Sequence, residues 1–175
     1  MKFFKHIYLS SKVANLYKKV KDISEDEIEN GLRLFIQQKV FPLYKKYDEI
    51  KLFEGGIGPG TFTFPFARCL SQIGIKRVYI YGIDNSLAML ELFRKNFESF
   101  HTLNKNIKIA YGFGDLEYKL QYHEDEFNIV MLAWVLHCLN DWKKVLMNVK
   151  GVLKEDGLLI IAFRDDEWLK VLSGE

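Results

Sequence analysis

Cysteine is scarce in this sequence, because its 175 residues contain only two, Cys69 and Cys138. They lie far apart in the chain, and no pair of histidines accompanies them at the spacing of a zinc site. A disulfide framework and a structural zinc site are therefore both disfavoured. We expect two reduced thiols in the core and no bound metal.

Long apolar runs are also missing. A membrane-spanning helix needs about 20 consecutive apolar residues, and no segment of the chain reaches that length. At the start of the chain, Lys2 and Lys5 interrupt the apolar residues before a secretory signal could form. The sequence predicts a cytoplasmic protein that makes no contact with a membrane.

The chain carries no large excess of charge, since its formal net charge is only +2. Such a small charge does not favour a nucleic acid partner. Residues 1–21 nevertheless hold six lysines and no acidic residue, which leaves an RNA-binding arm open. The solvated face of a helix is the favoured interpretation, because apolar residues recur between the lysines at helical spacing. These are Val13, Leu16, Tyr17 and Val20.

A composition of 49% hydrophobic and 27% charged residues is that of a globular domain with its own core. We predict an N-terminal helical extension over residues 1–47, followed by an α/β domain over residues 48–175. In the extension, Ser24 and Glu27 form a capping box, and Pro42 ends or kinks the second helix. One apolar stripe of that helix must pack on a neighbour: Ile28, Leu32, Phe35, Ile36 and Val40.

Beyond residue 48, short apolar strands alternate with amphipathic helical segments. The strands are predicted at residues 50–53, 77–84, 106–112, 127–133 and 158–163, and the helices at 61–73, 86–100 and 141–153. Alternation of this kind, with right-handed crossovers, predicts a parallel sheet.

The most informative segment follows the first strand, where Glu54 is followed by Gly55, Gly56, Gly58 and Gly60. Glycine permits a sharp turn, a positive φ and a close approach of the backbone to a ligand. A carboxylate at the end of the strand would repel a pyrophosphate, which favours a ligand with a cationic or hydroxyl-rich group over a dinucleotide. An ordinary tight connection between strand and helix is the alternative.

Polar residues with possible chemical roles follow the later strands. Asp84 ends the strand at residues 77–84, where a Rossmann-like fold binds ribose hydroxyls, and its carboxylate can accept two hydrogen bonds from a diol. Asp115 follows Gly114 after the third strand. It is either a ligand-binding residue or part of a simple turn. His137 follows the fourth strand and is either a general base or a residue that positions the turn.

Together these motifs, over residues 50–165, resemble those of the class I S-adenosylmethionine-dependent methyltransferases, and in particular their small-molecule subgroup. The resemblance implies a Rossmann-like three-layer α/β sandwich, a mostly parallel sheet of order 3-2-1-4-5, and S-adenosylmethionine as cofactor. It also implies a set of cofactor contacts: Glu54, Gly55, Gly56, Gly58, Gly60, Asp84, Asn85, Asp115, Leu116, Ala133 and Trp134, the last of which is equally well placed as a core residue.

The sequence departs from the family pattern at two positions. Asn128 replaces an aspartate before the fourth strand, and Glu155-Asp156-Gly157 replaces Pro-Gly-Gly before the fifth. Neither position contacts the cofactor in the family.

A third departure concerns the family's C-terminal β6/β7 hairpin, which has no counterpart after Phe163. Residues 158–163 would then form an exposed apolar edge strand, which folded proteins rarely leave uncovered. We expect the edge to be covered by a second copy in a homodimer, by a partner chain, or by the C-terminal region of a longer parent protein.

The leading prediction is methyl transfer to a small-molecule acceptor by direct displacement, beneath a lid of aromatic residues from the extension. Those residues are Phe3, Phe4, Tyr8, Tyr17, Phe41, Tyr44 and Tyr47, and the core is their alternative place. Three alternatives stay open: a non-catalytic S-adenosylmethionine-binding subunit, a nicotinamide-dependent oxidoreductase and an RNA methyltransferase. DNA methylation is disfavoured, because Asn-Pro-Pro-Tyr and Pro-Cys motifs are absent after the fourth strand.

Overall fold

The computed structural model describes residues 25–162, with side chains from Ile28 onward. Its five strands are β1 (Glu49–Gly55), β2 (Arg77–Asp84), β3 (Ile107–Phe113), β4 (Phe127–Ala133) and β5 (Leu153–Ala162). They form one parallel sheet in the order β3-β2-β1-β4-β5. The predicted strand order is therefore confirmed.

Helices cover both faces of this sheet. They are α1 (Glu25–Phe35), α2 (Phe41–Tyr44), α3 (Thr63–Gln72), α4 (Leu87–Leu103) and α5 (Trp142–Lys150). Residues of α1 to α4 pack on one face, and residues of α5 pack on the other. This arrangement is the predicted Rossmann-like sandwich.

The inner strand β4 is buried along its whole length, including its one polar side chain, Asn128. A near-continuous apolar strand is typical of a parallel sheet that is covered on both faces. The side chain of Asn128 accepts a hydrogen bond from the amide of Lys51 at 3.0 Å, and its backbone carbonyl accepts one from the Tyr44 hydroxyl at 2.7 Å. Asn128 therefore joins β4 to β1 and to the N-terminal extension.

Tyr44 is a core residue rather than part of a lid. It is 2% exposed, and burial raises the pKa of its hydroxyl to about 12. The hydroxyl of Tyr47 donates to the Asp156 carboxylate at 3.3 Å, beside the first half of β5. The other proposed lid residues are Phe41, which is 36% exposed, and four aromatic residues that lie outside the described part of the chain: Phe3, Phe4, Tyr8 and Tyr17.

The N-terminal helical segment changes its hydrogen-bonding pattern just before Pro42. Residues Ile36–Val40 form a turn of π-helix between α1 and α2, and Pro42 occupies the first turn of α2. Proline lacks the amide proton that would continue the α-helical hydrogen bonds, and a π turn accommodates this defect. The predicted apolar stripe does pack on the core. The predicted capping box of Ser24 and Glu27 lies outside the described side chains.

The largest correction concerns the boundary between α5 and β5. The helix that the sequence predicts to Leu153 ends at Lys150, and β5 begins at Leu153 rather than at Leu158. Its pairing with β4 is irregular, because Phe127 lies opposite Leu153 whereas Ile129 lies opposite Leu158. A β-bulge accommodates the additional residues.

Candidate functional site

The candidate site lies at the carboxyl ends of β1, β2 and β4. The strand order reverses between β1 and β4, and open α/β sheets bind ligands at such a point. The glycine loop, residues 55–60, leaves β1 there, and residues 134–141 leave β4. The two segments are in contact, because a Cβ atom added to Gly56 would lie 2.5 Å from Cγ2 of Val135.

The glycine loop turns sharply against the end of β2. The amides of Gly56 and Ile57 donate to the carbonyl of Ile83 at 2.9 and 3.0 Å. Gly56, Gly58 and Gly60 have φ angles of 72°, 52° and 86°, which glycine adopts without steric cost. A side chain at Gly58 would meet nothing closer than the carbonyl oxygen of Gly56, at 3.9 Å. The backbone at Gly58 therefore borders open space, which fits a loop that receives a nucleoside cofactor.

Glu54 is buried beneath this loop, with 2% of its surface exposed. Its Oε2 accepts a hydrogen bond from the Thr63 hydroxyl at 2.6 Å. Burial raises the pKa of Glu54 to about 8, the bond from Thr63 opposes this rise, and the charge of Asp84 adds to it. Enclosure therefore favours the protonated form of the carboxyl group. The sequence suggests a negative charge here, whereas burial favours the neutral form, so charge repulsion is a weak argument against a pyrophosphate.

Asp84 connects the end of β2 to the glycine loop. Its Oδ2 accepts a hydrogen bond from the amide of Gly58 at 2.9 Å, and its Oδ1 accepts one from the amide of Ser86 at 2.8 Å. Burial raises the pKa of Asp84, and the two amide bonds oppose that rise. Each carboxylate oxygen can accept a further hydrogen bond, so Asp84 retains the capacity to bind a diol. Asn85 is half-buried next to it.

Asp115 and Leu116 lie after β3 and have different surroundings. Asp115 is half-buried, and its Oδ1 accepts a hydrogen bond from the amide of Glu117 at 3.0 Å, which is the local turn considered as its alternative role. Leu116 is buried and packs on Gly55, where an added Cβ atom would lie 2.6 Å from its Cδ2. Gly55 and Leu116 thus hold the base of the loop on the core.

The segment after β4 contributes three predicted residues. Ala133 is 7% exposed at the end of the strand. Trp134 is half-buried and has a φ of 53°, and its ring meets the ring of Phe62 edge-on with centroids 5.0 Å apart. His137 is half-buried in a 3₁₀ turn, Leu136–Cys138.

Two apolar residues at the carboxyl edge of the sheet are not among the site residues that the sequence predicts. Leu87 and Phe113 are 69% and 66% exposed. Leu87 begins α4 just after Asp84, and Phe113 is the register partner of Asp84 on β3. Apolar side chains left exposed beside a polar site are typical of a ligand-binding surface. Their nearness to Asp84 and Asp115 in the sequence is the signal that could have identified them.

Other kinds of site have no support in the described residues. Within residues 25–162 no group of three or more His, Cys, Asp or Glu side chains could hold a metal ion. Cys69 is buried and Cys138 is half-buried. In the same part of the chain, no helix combines the length and apolar character that crossing a membrane requires.

The sheet order, the glycine loop after β1 and the acidic residue after β2 define a Rossmann-like domain of the class I methyltransferase type. Residues 53–161, more than half of the chain, match the model of the family described as methyltransferase domain. The protein therefore belongs to the class I S-adenosylmethionine-dependent methyltransferase family. The cofactor of this family is S-adenosylmethionine.

Solved structures share this fold at low sequence identity. A putative S-adenosylmethionine-dependent methyltransferase from Methanococcus maripaludis is 16% identical with a TM-score of 0.62, over 95% of this chain and 73% of that one. The YcgJ protein from Bacillus subtilis is 22% identical with a TM-score of 0.56, over 75% of this chain. The trans-methyltransferase CalH, in complex with S-adenosylhomocysteine, is 16% identical with a TM-score of 0.57, over 83% of this chain.

This chain is short beside some of these proteins. The alignments cover 49% of YcgJ and 41% of CalH.

A comparison with curated proteins yields no match.

Proposed function

We propose that this protein binds S-adenosylmethionine between the glycine loop and Asp84, and that it transfers the methyl group to a small-molecule acceptor. The bond from the Gly58 amide to the Asp84 carboxylate carries the proposal. It holds the loop against the end of β2 while the backbone at Gly58 faces open space. A carboxylate that can accept bonds from ribose hydroxyls and a glycine-rich loop whose backbone a ligand can approach are features of nucleoside-binding sites.

The cofactor supplies an activated methyl group on a cationic sulfur, so the protein needs little proton chemistry of its own. Its residues must bind and orient the two reactants, and correct placement provides most of the rate enhancement. His137 lies on the turn after β4, where a neutral imidazole can take a proton from a hydroxyl acceptor. Positioning of the turn is the alternative role for His137.

The test is calorimetric titration of the purified protein with S-adenosylhomocysteine. We expect micromolar binding, and we expect it to be lost in Asp84→Ala, which removes the acceptor for the loop and the diol. Gly58→Val should also abolish binding, because its side chain would project into the open space above the loop.

Asp48→Ala is the matched control. Asp48 is an exposed carboxylate that pairs with Lys76 at 3.0 Å, just before the amino end of β1. This variant should bind S-adenosylhomocysteine as the unaltered protein does. Equal binding by all four proteins would contradict the proposed site, and no binding by any of them would contradict the proposed function.

A non-catalytic or partner-dependent S-adenosylmethionine-binding subunit is the second candidate. The contacts that support it are those of the cofactor site, between Gly58 and Asp84 and between Thr63 and Glu54, and they require binding alone. A methyl-transfer assay distinguishes the two candidate functions. A purified chain that binds S-adenosylmethionine and methylates any member of a panel of small hydroxyl, amine and carbon acceptors supports the enzyme, whereas binding without turnover supports the subunit.

A further inference from the structure

Trp134 has an unusual backbone conformation for its size. Its φ of 53° lies in the left-handed region, which bulky side chains rarely occupy. Two contacts hold this conformation. The Trp134 amide donates to the Ala162 carbonyl at 2.8 Å, and the adjacent Val135 packs on Gly56. Backbone strain of this kind is concentrated at ligand-binding and catalytic sites. The strained backbone therefore marks Trp134 as a candidate ligand-binding residue.

The indole forms a pair with Phe62 across the site. Phe62 lies just before α3 in the connection that follows the glycine loop, and Trp134 directly follows β4. Their rings are 5.0 Å apart and inclined at 79°. Both residues are half-buried and keep some of their surface accessible. The aromatic pair, Phe62 and Trp134, thus spans the gap between the β1 and β4 connections.

Little negative charge is provided at the β1 end of this gap. Glu54 is buried and accepts a hydrogen bond from Thr63 at 2.6 Å, and burial favours its neutral form. Asp84 lies on the β2 side and is engaged by the amides of Gly58 and Ser86. A cation bound between β1 and β4 would therefore depend on other sources of negative potential, and the face of an aromatic ring is one such source.

We propose that the aromatic pair recognises the positively charged sulfonium of S-adenosylmethionine by cation–π contact. The proposal rests on the proposed function and deepens it. Because the product S-adenosylhomocysteine has a neutral sulfur, the pair would favour the charged cofactor over the product. Phe62 and Trp134 would in this way contribute to product release as well as to cofactor binding.

The test is the ratio of the Kd values for S-adenosylhomocysteine and S-adenosylmethionine, measured by calorimetry. Phe62→Leu and Trp134→Leu keep apolar bulk and remove the aromatic face. We expect each to lower the ratio by about 2- to 30-fold, the range that a cation–π contact contributes. Trp134→Phe should retain most of the ratio. A change in backbone strain affects both ligands equally, so it leaves the ratio unchanged.

Trp142→Leu is the matched control, because Trp142 begins α5 and packs in the core cluster on the other face of the sheet. It should leave the ratio unaltered. If Phe62→Leu and Trp134→Leu bind both ligands with the unaltered ratio, the proposal is wrong while the proposed function stands. Loss of the ratio in Glu54→Gln alone would also overturn it, since the counter-charge would then be Glu54. If the unaltered protein binds neither ligand, both proposals fail.

Discussion

The carboxyl group of Glu54 is enclosed between the glycine loop and α3, where it accepts a hydrogen bond from the Thr63 hydroxyl. Enclosure disfavours the charged form, and the neighbouring Asp84 disfavours it further. In an unfolded chain the same group would ionise near its ordinary pKa of 4.5. Folding therefore takes up a proton on Glu54 between these two pKa values, and stability becomes linked to pH.

We predict that Glu54 makes the protein less stable as pH rises from about 4.5 to about 8. In this interval Glu54 holds its proton in the folded state and loses it in the unfolded state. The contribution of Glu54 to the unfolding free energy therefore falls by up to about 1.4 kcal/mol per pH unit. Urea unfolding between pH 5 and pH 8 measures the slope. Glu54→Gln, which keeps an acceptor for Thr63, should be less sensitive to pH than the unaltered protein.

Glu124→Gln is the control for this measurement, because Glu124 lies exposed in the loop before β4. It should reproduce the slope of the unaltered protein. Identical slopes in Glu54→Gln and the unaltered protein would show that Glu54 is ionised in the folded state.

The residues that the sequence predicted well are those with a strong local signal. The glycine pattern predicted the positive φ angles of the loop, and the strand before Asp84 predicted its place at the end of β2. Trp134 gave no such signal, since nothing in the neighbouring residues distinguishes a strained tryptophan from a core one. The protonation of Glu54 also depends on tertiary burial, which becomes visible only when Thr63 and the loop are in place.

At the scale of elements, β2 and β4 have the predicted bounds because each is a short apolar run with a clear break after it. The end of α5 was predicted less well. Val152 and Leu153 continue the helical apolar pattern and also suit the start of a strand, so periodicity alone does not decide between them. Pairing with β4 through a bulge decides in favour of the strand.

Helix α1 offers a test of whether the N-terminal extension folds as one unit with the sheet. Gly31 lies exposed in the middle of α1, and a Cβ atom added there would meet no atom within 4 Å. Glycine is less favourable than alanine inside a helix by about 0.5–1 kcal/mol. We predict that Gly31→Ala raises the unfolding free energy by about this amount.

Thermal and urea unfolding of Gly31→Ala measure the gain, and Gly74→Ala is the control. Gly74 has equal space for a Cβ atom but a φ of 94°, so the same substitution should destabilise the protein. A gain in helicity by circular dichroism without any gain in global stability would mean that α1 unfolds separately. The contacts of Glu29 with Arg68 of α3, at 2.6 and 3.1 Å, favour a single unit.

At the scale of the whole molecule, β5 is the last strand on one side of the described sheet. Within residues 25–162 no strand pairs with the outer side of β5. Its last six residues, 157–162, contain no charged side chain and no proline, which are the usual devices that keep an edge strand from pairing with another chain. Charged residues precede this stretch at Lys154, Glu155 and Asp156. Within the described residues, the edge that lacks these devices is thus the half of β5 that pairs regularly with β4.

We predict that two copies of the chain pair through this half of β5. A twofold axis near Ile160 would set the two strands antiparallel and extend the sheet across both copies, which satisfies backbone groups that water would otherwise have to reach. Sedimentation should show a mass that rises from one chain to two with concentration. Amide exchange at residues 157–162 should slow over the same range, while exchange in the inner strand β4 stays constant. A single-chain mass at every concentration, with exchange at residues 157–162 independent of concentration, would rule out this pairing and leave the edge to a different partner.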